Sequence, residues 1–133
     1  MTIQERYEGI QNILKRCGEE GCLFLSLCSI AEEVTGKPVD LIDAIRICQK
    51  NWSLGFDFTC NDSVRILATL TGKEWKRFET TNPQFTAADN QYTVAKYVNG
   101  KIMHFRRWGW DVYDASVTVR DGQLKSLYVY EVI

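Results

Sequence analysis

Apolar positions recur at helical spacing through the first half of the chain and alternate in the second. Ile3, Tyr7, Ile10, Leu14 and Cys17 recur at steps of four, three, four and three, which predicts an amphipathic helix over 3–17. Gly18 ends it. From Cys22 the apolar pattern is nearly continuous: Leu23, Phe24, Leu25, Leu27, Cys28, Ile30, Ala31 and Val34 cover almost the whole circumference of a second helix. A helix that is apolar nearly all round is buried. It stops near Thr35-Gly36, with Pro38 beyond. A third helix starts at about Asp40, which can cap it, with Asp43 in the first turn and Ile42, Ile45 and Cys48 on the inner face. Trp52, Leu54, Phe56 and Phe58 mark an apolar loop. A fourth helix over about 62–71, capped by Asn61 or Asp62, buries Val64, Leu67 and Ala68 or Leu70 and ends at Gly72.

From Glu74 onward the chain reads as strands. Glu74–Glu79 is short and mixed, and Thr80–Asn90, with Pro83, is a loop. Gln91–Val98 alternates and is rich in Tyr, Thr and Val. Asn99-Gly100 predicts a two-residue hairpin turn, because both residue types tolerate positive φ. Lys101–Arg107 is the partner strand. A turn through Trp108-Gly109-Trp110 leads to a strand over Asp111–Ala115, Asp121-Gly122 turns again, and Ser126–Val132 is the last strand. Helices followed by an antiparallel sheet make an α+β domain. At 133 residues the chain is of ordinary size for one domain, with a helical part over 1–72 and a sheet part over 73–133.

Charge and cysteines narrow the function classes. Lys+Arg number 16 against 17 Asp+Glu, so no basic footprint for nucleic acid or an anionic membrane is present. No apolar run approaches the ~20 residues of a membrane span. The polar start, Met-Thr-Ile-Gln-Glu-Arg-Tyr-Glu, lacks a secretory core segment, so a cytoplasmic location is expected. Cys17, Cys22, Cys28, Cys48 and Cys60 are odd in number and read as reduced thiols rather than a disulfide framework. No pair has C-x-x-C spacing, and His104, the lone histidine, is distant, which argues against zinc. No cofactor is implied.

The candidate chemistry starts at Cys22, in the first turn of the buried helix, where the helix dipole favours a thiolate. Cysteine is also among the most buried residue types, so packing alone is a competing reading. A hairpin loop at Asn99-Gly100 would pair Val98 with Lys101 and Ala95 with His104, leaving room over small Ala95. If Trp108-Gly109-Trp110 is a three-residue loop, His104 lies opposite Asp114, with Phe105 against Tyr113 and Arg107 against Asp111. If only Trp108-Gly109 turns, His104 faces Tyr113 and Asp114 drops to the other face. In the first register Cys22 is a nucleophile, His104 its base and Asp114 the group that orients the imidazole, with Asp111 as the other acid. Trp108, Trp110, Tyr113 and Tyr128 read as cross-strand packing or as a cleft wall. Arg106 and Arg107 read as solvated strand positions or as a carboxylate-binding pair.

A cysteine opening a central helix, a histidine on a later strand and an acid on the next strand follow the order of the papain-like cysteine peptidase superfamily. "GCLFLSLC", "MHFRRWGWDVYDAS" and "VTVRDGQLKSLYVY" resemble small phage- and bacteria-encoded members, related to the peptidase domains that process bacteriocin leaders. The resemblance runs from Cys22 to Tyr130. It implies a papain-like fold, N-terminal helices packed on a small C-terminal antiparallel sheet, and a cysteine hydrolase acting on an amide or isopeptide bond of a peptide or protein. Cys22 matches the nucleophile, His104 the base and Asp114 the orienting residue. The family usually places a glutamine shortly before the cysteine to complete the oxyanion hole, whereas this chain has Glu19 and Glu20 there. A carboxylate donates to an oxyanion only when protonated. The same fold therefore also suits a catalytically idle binding or inhibitory module, such as a phage-encoded one.

Overall fold

The computed structural model describes residues 21–108 and 122–133. The helix expected over 3–17, the turn through Trp108-Gly109-Trp110 and the strand expected over 111–115 lie outside those residues, wholly or in part. Helix α1 spans Gly21–Thr35. Gly36, at φ +69°, ends it by donating its N–H to the Glu32 carbonyl at 2.8 Å. Phe24, Leu27, Ile30 and Ala31 are sealed, while Leu23, Leu25 and Val34 are half-buried. Helix α2 spans Leu41–Lys50, and the Asp40 carboxylate accepts from the Asp43 N–H at 3.1 Å. Its inner face is Ala44, Ile45 and Cys48, and Ile42, expected inside, is 44% exposed. Leu41, Ala44, Ile45 and Cys48 form an i, i+3, i+4, i+7 stripe, and Ile42 sits a residue off it.

The loop between α2 and the next helix is folded on itself. Leu54 bridges to Cys60, and Trp52 and Phe58 both have φ +67°. Leu54 and Phe58 point inward, whereas Trp52 and Phe56 are exposed. Helix α3 spans Ser63–Thr71, capped by Asp62 and stopped at Gly72, at φ +70°. Ile66 and Leu67 are its fully buried residues. Ile66 was not expected inside. Its burial follows from α3 packing against both α1 and the sheet, so that a wider stripe is covered.

Strands β1 (Trp75–Thr80), β2 (Gln91–Asn99), β3 (Ile102–Arg107) and β4 (Gln123–Val132) form an antiparallel sheet in the order β1-β4-β2-β3. The last strand thus lies inside the sheet, and β3 is an edge among the described residues. Val94, Phe105, Tyr130 and Trp75 point to the helices and close the core around α1. Ala95, His104, Leu127 and Val129 point to the opposite face and are buried as well. Phe85, from the long loop, packs edge-on against Phe78.

The β2–β3 hairpin differs from its expected register. The loop is Gly100-Lys101, with Asn99 paired to Ile102. Gly100, at φ +64°, takes the first loop position and Lys101 follows with negative φ. That arrangement is the glycine-first hairpin turn, which needs positive φ at one position only. Moving a two-residue loop by one residue shifts every pair by two. His104 therefore faces Tyr97, not Ala95, and shares with both the sheet face opposite the helices.

Candidate active site

The site forms where the start of α1 meets the side of β3 that faces away from β2. Trp108 donates its N–H to the Thr93 carbonyl at 3.1 Å, so even-numbered β3 residues make the hydrogen-bonded pairs with β2. The N–H of Phe105 consequently points away from β2. It donates to the Sγ of Cys22 at 3.3 Å. A main-chain N–H at sulfur and a helix start both suit an anion there, and burial opposes one. Cys22 is 3% exposed, a buried thiol rather than one lying open.

His104 immediately precedes the donor. Bond lengths put its Cα within about 6 Å of the Cys22 sulfur. His104 is itself 3% exposed, on the sheet face opposite Phe105. The backbone of His104, 82 positions away in the chain, thus runs close to Cys22, with its side chain on the face turned from the helices. Asp114 and its rival Asp111 lie outside the described residues, as do Glu19 and Glu20.

The other described thiols differ from Cys22 in setting. Burial, with Cys48, Cys60 and Glu32 nearby, pushes the Cys28 thiol far above its ordinary value. Burial also pushes Cys48 up, against a hydrogen bond from Ser53. Neither is a thiolate at neutral pH. None of the cysteines among the described residues is in a disulfide, and no group of three His, Cys, Asp or Glu among those residues is placed to hold a metal ion.

Arg107 was expected in solvent and is buried instead, 4% exposed. Its guanidinium donates to Ser29 Oγ at 3.1 Å and to Glu33 Oε2 at 2.8 Å, both on α1. Tyr128 packs its ring on Phe105, with centroids 5.4 Å apart, and carries Arg77 at 4.5 Å from its centroid. That is the packing reading of Tyr128; Trp110 and Tyr113 lie outside the described residues. A groove of about 440 Å³ runs past Thr35, Val39, Asp43, Ile47 and Leu70. It lies at the opposite end of α1, about 20 Å from Cys22 at 1.5 Å per residue.

Sequence reasoning missed the Phe105 N–H and the Arg107 contacts. A main-chain donor leaves no trace in residue identity. The partners of Arg107 are 74 and 78 positions away, with no spacing rule to join them. No helix among the described residues is long and apolar enough to cross a membrane. A scan against protein-family models, a search of curated proteins and a search of solved structures each found no match.

Proposed function

We propose that this chain is a papain-like cysteine hydrolase that cleaves or transfers an amide or isopeptide bond of a peptide or protein through a Cys22 acyl-thioester. The observation that carries the reading is the Cys22 sulfur at the start of a buried helix, 3.3 Å from the Phe105 amide and next in line to His104. A nucleophilic thiol needs stabilisation of its anion and a base within reach. The helix end and the amide supply the first, and His104 the second. In the reaction the thiolate attacks the carbonyl carbon, His104 passes the proton to the leaving amine, and water or a second amine then displaces the thioester. Main-chain N–H groups at the start of α1 can bind the oxyanion. Asp114 is assigned the orienting role by the family order alone. The cytoplasm is the expected location.

A second reading has its own observation. With 3% of its surface exposed, Cys22 offers little access to a substrate, which suits an idle papain-like module that binds or inhibits another protein. Site-resolved alkylation by iodoacetamide separates the two. A hydrolase has Cys22 reacting at pH 6 faster than a free thiol, and His104→Ala slows that reaction. A rate at pH 6 no faster than that of a free thiol removes the basis of the hydrolase reading.

A further inference from the structure

Two hydrogen-bonded contacts tie the helix that carries Cys22 to β3 among the described residues. One is the weak N–H to sulfur bond from Phe105 to Cys22. The other is the fork of Arg107, two residues along the same strand, closed on Ser29 and Glu33, two and three turns along the same helix. Ser29 and Glu33 are four residues apart and so share one helix face. A rigid fork that holds two acceptors on one face resists both sliding and rotation of the helix, and a single contact resists neither. The α1 backbone continues unbroken from Ser29 back to Cys22, so any slip at Arg107 is transmitted to the sulfur.

We propose that Arg107 is a positioning residue, which locks α1 in register on β3 through Ser29 and Glu33 and thereby holds the Cys22 sulfur on the Phe105 amide and beside His104. This rests on the reading of Cys22 as a reactive thiolate. Other charged or titratable groups on the elements packed against α1 are Arg65 of α3, His104 and Arg106 of β3, and Tyr92, Lys96 and Tyr97 of β2. On α1 itself they are Cys28, Glu32 and Glu33. Of these Tyr92 feels the charges of both Arg107 and Glu33, and Glu33 is varied separately.

Positioning and direct electrostatics predict opposite results. If Arg107 acted only through its positive charge, Arg107→Lys would leave the Cys22 thiol unchanged. Glu33→Gln, by removing a negative charge, would lower its pKa. If Arg107 acts by position, both variants loosen the fork and both raise the pKa. The full-length chain is labelled with cysteine carrying ¹³C at Cβ, and the Cys22 signal is identified by its loss in Cys22→Ser. Its pH midpoint is then read by NMR, which works for a buried thiol. The expected result is an upward shift of about half a unit or more in Arg107→Lys and in Glu33→Gln, and about a unit in Arg107→Met.

Ile66→Val, a core change in α3, serves as the stability control. It should lower the melting temperature and leave the midpoint in place. A midpoint that is unchanged in the Arg107 variants, or that falls in Glu33→Gln, overturns the positioning role. A midpoint that is already near 8.5 in the unaltered chain sinks the hydrolase reading instead. The positioning role would then still stand or fall on whether the variants raise it.

Discussion

Two regions of this molecule are held together in different ways. From Asp40 to Gly72, α2, its loop and α3 are bonded mostly to themselves. Asp40 caps Asp43, Asp62 caps Arg65, Gln49 donates to the Gly55 carbonyl, and Ser53 accepts from Asn61 and Asp62. At the seam between α1 and β3 the bonds join residues 74 to 83 positions apart. The first region is a set of short-range decisions, each made by a capping aspartate or a turn residue. The second exists only after the sheet has assembled. The proposed chemistry lies at the second, so precision at the candidate site depends on contacts that no local segment can make by itself.

The largest expected effect tests what the two regions share. Ile66 is fully buried in α3 against α1. Ile66→Ala should cost about 2–5 kcal/mol by the lost burial and the cavity left behind. Urea unfolding would measure it, and a cost below about 1 kcal/mol would mean that α3 does not seat α1. At the seam, Glu33→Ala takes the carboxylate away from a guanidinium that is 4% exposed. Glu33 is about a third exposed, which discounts the pair, so about 2 kcal/mol is expected. The same substitution should slow Cys22 alkylation, whereas Ile66→Val should not. A loss of stability with unaltered thiol reactivity would reduce the seam to ordinary packing.

High pH probes the contact of the helices with the sheet. Burial pushes the Tyr130 hydroxyl up to about 12, with Ser63 on its side yet no hydrogen bond of ordinary geometry made. The neutral form is the one the fold favours, and the unfolded chain loses the same proton near 10. Stability from this group is therefore complete below pH 10 and is lost as pH rises toward 12, by about 2–3 kcal/mol. Cys28 and Cys48, also raised, act in the same direction from about pH 9. Tyr130→Phe should flatten part of the alkaline loss and cost little at pH 7, because no bonded partner is abandoned. An unchanged alkaline slope in that variant would place the loss on the thiols alone.

The smallest effect concerns the hairpin that presents His104. Gly100→Ala should cost about 1 kcal/mol through its positive φ, since a Cβ there meets nothing within 4 Å. Asn99→Ala, in a strand position paired with Ile102, should cost less than about half of that. The reverse ranking, read from thermal midpoints, would restore the Asn99-Gly100 turn and put Ala95 opposite His104.

What the sequence determined by itself is the set of features governed by nearest neighbours. The buried helix from Cys22 to Thr35, the aspartate starts of α2 and α3, the glycine stops at Gly36 and Gly72, and the change from helices to strands near Glu74 all follow from periodicity and capping, which act within a few residues. That His104 shares a face with Ala95 was also legible, because alternation survives a two-place shift of register. Its partner was not, since Gly100 suits two adjacent turns and only pairing with the rest of the sheet chooses between them. Only the tertiary structure decided that β4 enters between β1 and β2, with β3 at the edge among the described residues and beside α1. On the side of β3 away from β2 the Phe105 N–H meets the Cys22 sulfur, and Arg107 is buried against Ser29 and Glu33. Such contacts join segments that share no local signal. They arise because a packed interior must satisfy every donor it buries, and which donor meets which acceptor is settled when the elements dock.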